Sequence, residues 1–342
     1  MSPIAMSGFA SVAMSAARSI LPEDRFVCVS CGGEQAPRRP VVCSDPVNRP
    51  FDLIRCGECG LVQRYPRPVP APAATLYGED YYIFEESESL RWARAVQQYA
   101  IHVARRETAG FRRLLDVGCA LGHFAALSAR RGWRVLGLDI SGEAVSRAAL
   151  RFDLDFRAGP LGCHTGTLPP FDLVFLGDVL EHVSEPGTFL RQIRQVLAPR
   201  GVVCIDTPNW GSAWRRRGRS HWLGLNRFHI NLFDADSLTR LLTARGFTDI
   251  RTGGYTHYRY EGWAHRPEVQ ALVGRMPNVL AWRINRFLEH RGTRTPWAIL
   301  REHPPATLDD ALRLLDDVGD GIPLPDTSRR DGDNLIATAE RT

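Results

Sequence analysis

The sequence predicts an α/β fold built on a twisted, mostly parallel sheet. From residue 111 onward, short apolar stretches of strand character alternate with amphipathic stretches of helix character. That alternation is typical of parallel sheets, in which a helix connects each strand to the next. The first strand, RRLLDV, runs into a stretch of small residues, LLDVGCALGHF, over 114–124, and the second strand, RVLGLD, ends on Asp139. These features predict a binding site for a nucleotide cofactor.

The small residues after the first strand indicate which ligand the loop can approach. Gly118, Ala120 and Gly122 allow the backbone to come close to a ligand where a helix begins. A dinucleotide fingerprint, GxGxxG, would need glycine at its second and third positions, where this chain has alanine and histidine. The spacing instead reads D-x-G-x-(G/A)-x-G, beginning at Asp116. Asp139, at the tip of the next strand, can accept hydrogen bonds from two ribose hydroxyls.

Composition narrows the class of protein. The chain has 342 residues, 44% hydrophobic and 24% charged, so a sizeable core is expected. All 43 basic residues are arginine, which excludes Schiff-base and P-loop lysines. A net charge of +5 over this length does not indicate nucleic-acid binding. No apolar run reaches the roughly eighteen residues of a membrane span, and the start lacks the basic segment of a signal peptide. We therefore expect a cytoplasmic protein.

Four of the eight cysteines form two matched pairs. Cys28 and Cys31 lie in CVSCGG, Cys56 and Cys59 lie in CGECGL, and 24 residues separate the pairs. A glycine after the second cysteine of each pair allows a tight turn whose amides can point at the thiolates. Two such turns can place four sulfurs around a structural zinc ion, a closed site for which no catalysis is expected. A disulfide pair or unrelated cysteines are the alternatives.

Capping residues and periodicity place the individual elements. Strands are predicted at 112–117, 134–139, 154–159, 171–176, 202–209 and 247–254. Helices are predicted at 90–106, 186–197, 236–245, 269–289 and 308–318. Ser141 and Ser184 are expected to cap helices, and Gly246 to end one.

The chain divides by composition into a tail, a small module and a main domain. We expect a disordered tail over 1–23 and a zinc ribbon over 24–66. A proline-rich connector and the first helix occupy 67–110. The main domain occupies 111–342.

Several motifs together resemble the class I S-adenosylmethionine (SAM) methyltransferases. They are LLDVGCALGHF, the Asp139 carboxylate, FDLVFLGDVLEHVSEP, DTPN and HINLFDADSL, and they cover roughly 75–256. The cysteine region ending in CGLVQ and followed by YGEDYY is similar to the N-terminal module of nucleotide-sugar methyltransferases from natural-product pathways. The core is also similar to the O-methyltransferases of ubiquinone biosynthesis. The resemblance implies a Rossmann-like seven-stranded sheet whose last strand, DNLIATAE, inserts antiparallel beside the sixth. Residues 257–332 would then be a helical insertion before that strand, with a flexible tail as the alternative.

The resemblance also implies SAM as the cofactor. Its binding residues would be Asp116, Gly118, Ala120, Gly122, Asp139, Ile140, Leu161, Gly177 and Asp178. The glycine loop would lie under the methionine and ribose parts, and Asp139 would hold the ribose hydroxyls. Gly177 and Asp178 would lie beside the reaction centre at the end of strand four. The stretch AGPLG offers Leu161 for packing, not an acidic contact, to adenine.

Candidate catalytic residues follow from the chemistry of methyl transfer, an in-line displacement that often needs a base near the acceptor. His182, in LEHV, and His229, in FHINLF, are candidates, each with a purely structural role as its alternative. His229 resembles a histidine of sugar C-methyltransferases, whose pattern has another histidine where this chain has Arg227. Tyr82, or its neighbour Tyr81, could close over the cofactor or simply pack.

A divalent-metal site is a further possibility. Asp178, Glu181 and His182 resemble an acidic–acidic–histidine pattern proposed to bind a metal ion in ubiquinone-type O-methyltransferases. Their spacing would place all three on one helical face.

The expected function is SAM-dependent methyl transfer to a small acceptor, above all a hydroxyl of a sugar, glycan or secondary metabolite. An arginine cluster between tryptophans could bind the phosphate of a nucleotide-linked sugar, or could be a solvated loop; its members are Arg215, Arg216, Arg217 and Arg219. The alternatives are C-methylation of a nucleotide-linked keto sugar, RNA methylation, and a non-catalytic SAM-binding interaction protein. Nucleic acid is not an expected partner, and the sequence makes no prediction of the oligomeric state.

Overall fold

The computed structural model describes residues 25–35, 41–44, 50–68, 87–104, 106, 110, 112–218, 222, 224–226, 228–255, 300, 303–318, 327–328 and 330–342. The predicted helix over 269–289 lies outside these residues, as do Tyr81 and Tyr82. Among the helices described, none has the length and apolar character needed to cross a bilayer.

The strands predicted over 112–254 and the helices predicted at 90–106, 186–197, 236–245 and 308–318 each lie close to an observed element. The strands are β1 (Phe26–Val27), β2 (Glu34–Gln35), β3 (Val41–Ser44), β4 (Pro50–Arg55), β5 (Val62–Tyr65), β6 (Arg113–Val117), β7 (Arg134–Asp139), β8 (Asp155–Ala158), β9 (Phe171–Gly177), β10 (Leu197–Pro208), β11 (Asn231–Leu232), β12 (Phe247–Tyr255) and β13 (Asn334–Arg341). The helices are α1 (Glu88–His102), α2 (His123–Arg130), α3 (Gly142–Arg151), α4 (Pro186–Val196), α5 (Ala213–Gly218), α6 (Ala235–Ala244) and α7 (Leu308–Asp317). Two 3-10 turns occupy Leu161–Cys163 and Leu180–His182.

Seven strands form the central sheet, in the order β8-β7-β6-β9-β10-β13-β12. The strands from β6 to β10 run parallel. β13 lies between β10 and β12 and is antiparallel to both, so that Ala337 pairs with Ile205 on one side and Thr252 on the other. The predicted Rossmann-like sheet with a late antiparallel strand is therefore confirmed.

Helices cover both faces of this sheet. Neighbouring residues of its central strands point to opposite sides, so both faces carry apolar side chains that the helices bury. Leu114 packs in a cluster with residues of α1, α2 and α7. Leu115 packs in the other cluster, with residues of α4, α6 and the cysteine module. Three large apolar residues of α1, Trp92, Val96 and Tyr99, are all buried.

The helix ends agree with the sequence at most positions. Ser141 caps α3 by accepting a hydrogen bond from the Ala144 amide, as predicted. The predicted cap at Ser184 is wrong. The N-cap of α4 is Glu185, which makes no side-chain capping bond, and Pro186 begins the helix. Proline suits this position because its missing amide hydrogen has no partner in the first turn.

A second sheet joins the cysteine module to the main domain. Its order is β11-β5-β4-β3. β3, β4 and β5 belong to the module, whereas β11 comes from the loop before α6. β11 pairs antiparallel with β5, with Asn231 opposite Gln63 and Leu232 opposite Val62.

A buried polar network at the end of β10 centres on Asp206. His102 Nε2 lies 3.2 Å from Asp206 Oδ2, to which the Tyr255 hydroxyl donates at 2.7 Å. Asn334 Nδ2 donates to Asp206 Oδ1 at 2.8 Å. Burial opposes the charged form of His102, but its bond to Asp206 prevails and raises its pKa to about 9. The network thus connects α1 to three strands through one carboxylate.

We expect the free energy of unfolding to decrease as pH rises from 6.5 to about 9. His102 has an ordinary pKa of 6.5 when unfolded and a raised one when folded, so its proton favours the folded state. This contribution is complete below the unfolded value and is lost as pH rises through the folded value. Urea denaturation across this range measures it. His102→Gln keeps a donor at the Nε2 position but does not titrate, so the free energy of unfolding should depend less on pH in this variant. An unchanged pH dependence would contradict the assignment.

Candidate functional site

The loop after β6 has the backbone conformation of a ligand-binding turn. Gly118 and Gly122 each have φ of +79°, and Ala120 has φ of +47°, in the left-handed region that side chains disfavour. A Cβ on Gly118 would lie 2.4 Å from Val179 Cγ2, and one on Gly122 would lie 2.7 Å from Phe156 Cζ. Both positions therefore require glycine for conformation and for space. No side chain caps the start of α2, which follows directly.

Asp139 fixes this loop against the neighbouring strand. Its Oδ2 accepts the Ala120 amide at 2.9 Å, and its Oδ1 accepts the Ser141 amide at 2.8 Å. A carboxylate can accept about four hydrogen bonds. Two acceptor positions therefore remain for hydroxyl groups of a ligand.

Asp116 is a buried carboxyl group directly before the loop. Its residue is 3% exposed, and its Oδ2 has no hydrogen-bond partner among the described residues. Burial, together with the nearby charge of Asp139, raises its pKa to about 8. A buried oxygen without a partner is costly, so a ligand that donates a hydrogen bond or carries positive charge would stabilise it.

The end of β9 lies beside α1. Asp178 has φ of +52°, its amide donates to the Asp206 carbonyl at 2.9 Å, and its carboxylate pairs with Arg94 of α1. A Cβ on Gly177 would come within 3.0 Å of the Gln98 amide. Helix α1 thus packs closely against the strand end where the reaction centre is predicted.

Ile140 and Leu161 lie at the same edge of the sheet. Ile140 follows Asp139 and is 39% exposed. Leu161 begins the 3-10 turn after β8 and is buried. All nine predicted cofactor residues therefore lie at or just beyond the carboxyl ends of parallel strands, where open α/β sheets bind ligands.

The structure brings the two candidate histidines together. The rings of His182 and His229 lie with centroids 4.8 Å apart at an angle of 73°. His182 Nδ1 donates to the Phe228 carbonyl at 2.9 Å, and His229 Nδ1 donates to the Gly224 carbonyl at 2.8 Å. These bonds place the proton of each neutral ring on Nδ1 and leave Nε2 as the acceptor.

The two rings differ in the partners of Nε2. His182 Nε2 has no hydrogen bond to the described residues, whereas His229 Nε2 has one. Asn226 Nδ2 donates to His229 Nε2 at 2.9 Å, and its orientation is fixed because Asn226 Oδ1 accepts two backbone amides, those of Phe228 and His229. Burial lowers the pKa of His182 to about 4 and that of His229 to about 3, so both rings are neutral near pH 7.

Glu181 lies behind the histidines, without solvent exposure. Thr207 donates to its Oε2 at 2.8 Å. Its Oε1 has no hydrogen-bond partner among the described residues and lies 3.9 Å from His182 Nε2 and 4.0 Å from His229 Nε2. Burial raises the pKa of Glu181 to about 7. Sequence reasoning considered this residue only as a metal ligand, and nothing in the sequence showed that it faces both rings.

The donor atoms that converge differ from those of the predicted metal pattern. Atoms of Glu181, His182 and His229 lie within 4.8 Å of one another. Asp178 is not part of this group and instead pairs with Arg94. A metal ion bound here through His229 Nε2 would have to displace the hydrogen bond from Asn226. The geometry therefore suits a group that accepts a proton better than it suits a metal site.

The arginine cluster is partly engaged in local contacts. Arg215 stacks over the Trp210 ring at 4.2 Å, and its Nε donates to the Trp210 carbonyl at 2.9 Å. Arg216 donates to the Gly211 carbonyl. Arg219 and the side chain of Arg217 lie outside the described residues. Two of the four guanidinium groups therefore stabilise their own turn, which does not favour a phosphate or RNA site.

The four paired cysteines converge as predicted. Cys28 and Cys59 have sulfurs 3.5 Å apart, and those of Cys31 and Cys56 are 3.7 Å apart. In a tetrahedral site with Zn–S bonds of about 2.3 Å, sulfurs lie about 3.8 Å apart. The donor set and spacing therefore fit a structural zinc ion. The remaining described cysteines do not join this group.

The known proteins that this chain resembles are described as methyltransferases. Residues 84–252 match a family model described as a methyltransferase domain. A protein of Mycolicibacterium smegmatis, named as a probable S-adenosylmethionine-dependent methyltransferase, is 29% identical over 213 residues, 60% of this chain and 80% of that protein. A protein of Mycobacterium tuberculosis with the same description is 30% identical over 48% of this chain, a match that spans 59% of the relative.

Other relatives share a shorter segment. A ubiquinone biosynthesis O-methyltransferase of Caulobacter is 35% identical over 109 residues, 28% of this chain and 41% of its own length. Among solved structures, a SAM-dependent methyltransferase of Archaeoglobus fulgidus has a TM-score of 0.46 at 17% identity, covering 76% of this chain and 99% of its own.

Proposed function

From the premise that residues 84–252 form a methyltransferase domain of the SAM-dependent class, we propose that this chain transfers a methyl group to a hydroxyl of a small acceptor. One observation carries the proposal. The glycine loop, Asp139 and the His182 ring, whose Nε2 is free to accept a proton, all lie at the carboxyl ends of the parallel strands. In this proposal the glycine loop and Asp139 bind the nucleoside part of SAM, and His182 is the base beside it.

The residues of this chain fit SAM on chemical grounds. Asp139 keeps two acceptor positions for ribose hydroxyls, and the partnerless oxygen of Asp116 suits the ammonium group of the methionine part. The exposed apolar side chain of Ile140 offers a packing surface for adenine. When bound, SAM supplies an electrophilic methyl group.

His182 is the proposed base. Its Nδ1 proton is held by the Phe228 carbonyl, so Nε2 can accept the proton that an attacking hydroxyl must lose. The ring is 20% exposed, whereas Glu181 behind it is fully buried. Glu181 therefore does not touch the acceptor. We assign His229 a supporting role, because both of its ring nitrogens already have partners.

Relatives favour oxygen as the accepting atom, since several carry the name ubiquinone biosynthesis O-methyltransferase.

A second candidate, C-methylation of a nucleotide-linked keto sugar, has one observation in its favour. The histidine that the C-methyltransferase pattern has at position 227 is absent, but the structure places His182 against His229 and thus forms a histidine pair.

Methyl-transfer assays with sugars, glycan fragments and phenolic metabolites test the proposal. We expect SAM-dependent product with at least one hydroxylated acceptor, and position-resolved NMR should locate the new methyl group on oxygen. A methyl group on carbon would favour the second candidate. Binding of SAM without turnover on any acceptor class would favour a non-catalytic interaction protein.

We also propose that the four cysteines hold a structural zinc ion, and we expect elemental analysis to find one zinc per chain. Cys56→Ser should lose the metal and lower the melting temperature, because the buried thiols lose the bonds that organise the module. Cys163→Ser, at an exposed cysteine outside the cluster, is the matched control. Metal-free protein with wild-type stability would contradict the assignment.

A further inference from the structure

Gln63 connects the first cysteine turn of the module to the strand that follows the second. Gln63 lies on β5 and is 1% exposed. Its Nε2 donates to Cys28 Sγ at 3.5 Å, and its Oε1 accepts the Val29 amide at 3.2 Å. Both ends of the amide are therefore fixed on the first cysteine turn, while the strand that carries it follows the second.

The backbone of Gln63 reaches the main domain. Gln63 pairs with Asn231 of β11, and the next amide along, that of Arg64, donates to the Ile230 carbonyl at 2.9 Å. Since β11 has two residues, it has little stability of its own. The pairing with β5 is therefore one of the contacts that hold β11 in place.

From β11 the contacts continue to the histidine pair. The Ile230 amide donates to the Glu181 carbonyl at 2.9 Å. Asn231 Nδ2 donates to the Val183 carbonyl at 2.7 Å. These bonds fall on either side of His182, whose Nδ1 donates to the Phe228 carbonyl, so residues 228–231 contact the turn that carries His182 at three points.

We propose that Gln63 is a positioning residue, through which the metal-loaded cysteine module holds β11 and so sets the placement of His182 and His229. The module would then act as part of the catalytic frame and not as a separate interaction domain. The effect on turnover rests on the proposed function, whereas the structural coupling does not.

Gln35 offers a matched control within the same module. Its Nε2 donates to the Arg55 carbonyl at 3.0 Å, and its Oε1 accepts the Gly57 amide at 2.6 Å. It thus bonds the second cysteine turn much as Gln63 bonds the first. Gln35 lies on β2, which pairs with β1 and not with β11.

The test compares Gln63→Leu with Gln35→Leu in the full zinc-loaded chain. For Gln63→Leu we expect retained zinc and SAM affinity, amide hydrogen exchange at Ile230 faster by about tenfold, and shifted ring ¹⁵N signals of His182 and His229. Turnover should fall through kcat. Gln35→Leu should leave Ile230 exchange and both ring signals as in the wild type.

A zinc-retaining Gln63→Leu with wild-type exchange at Ile230 and wild-type ring signals would overturn the proposal. If this variant does not fold, chelation of zinc from the wild-type chain provides the second measurement. Exchange at 228–232 should then rise more than exchange in α3, which does not pack against the module, and equal changes in both segments would overturn the proposal. Neither readout requires methyl transfer, so failure of the coupling and failure of the proposed function can be told apart.

Discussion

Replacement of Asp139 by alanine is expected to weaken SAM binding by about a hundredfold or more, because each hydrogen bond to a charged group contributes about 1.5–3 kcal/mol. The variant loses both acceptor positions proposed for the ribose hydroxyls. It also loses the bonds to the Ala120 and Ser141 amides, so the glycine loop is held less firmly. Calorimetric titration of zinc-loaded protein with SAM measures the change.

Two variants serve as controls for this result. Asp155→Ala removes a carboxylate that is 51% exposed and pairs with Arg157 on the neighbouring strand β8, so SAM affinity should be unchanged. Asp139→Asn keeps one oxygen acceptor and should bind SAM with intermediate affinity. A folded Asp139→Ala protein with wild-type affinity would refute the cofactor site.

The second large effect is expected at His182. His182→Asn places an amide donor where Nδ1 now donates to the Phe228 carbonyl, but it removes the acceptor at Nε2. We expect kcat to fall by about 10²- to 10⁴-fold, the usual contribution of a general base. SAM affinity should be preserved, since the glycine loop and Asp139 are unaffected. Initial-rate kinetics with the acceptor identified by screening provide the measurement.

His229→Asn is the matched comparison. It keeps a donor toward the Gly224 carbonyl and removes the acceptor that Asn226 now occupies. The proposed supporting role predicts a smaller loss of kcat than at His182. A wild-type kcat in His182→Asn, together with a large loss in His229→Asn, would reverse the two assignments.

Elements that depend on local pattern could be predicted from the sequence. The alternation of strands and helices places β6 to β10. The glycine spacing locates the loop in which Gly118, Ala120 and Gly122 have positive φ. The position of β13 needed the family resemblance in addition, because strand propensity alone does not say which neighbours a C-terminal strand will have.

Contacts between distant segments could not be predicted. Asp206 was recognised only as part of the DTPN motif, and no pattern indicates that it pairs with His102 of α1. Similarly, β11 has two residues and shows no periodicity, so its pairing with β5 has no signal in the sequence. The histidine pair depends on that strand. Its formation is therefore a tertiary property that neither LEHV nor FHINLF indicates on its own.

Calorimetric titration of zinc-loaded wild-type protein with SAM, S-adenosylhomocysteine and NAD tests the central claim most directly. The site described here predicts saturable binding of the first two ligands and none of NAD, because the loop lacks the glycine spacing of a dinucleotide fingerprint. Well-folded protein that binds neither SAM nor S-adenosylhomocysteine would contradict the assignment of this sheet edge as a methyltransferase active site.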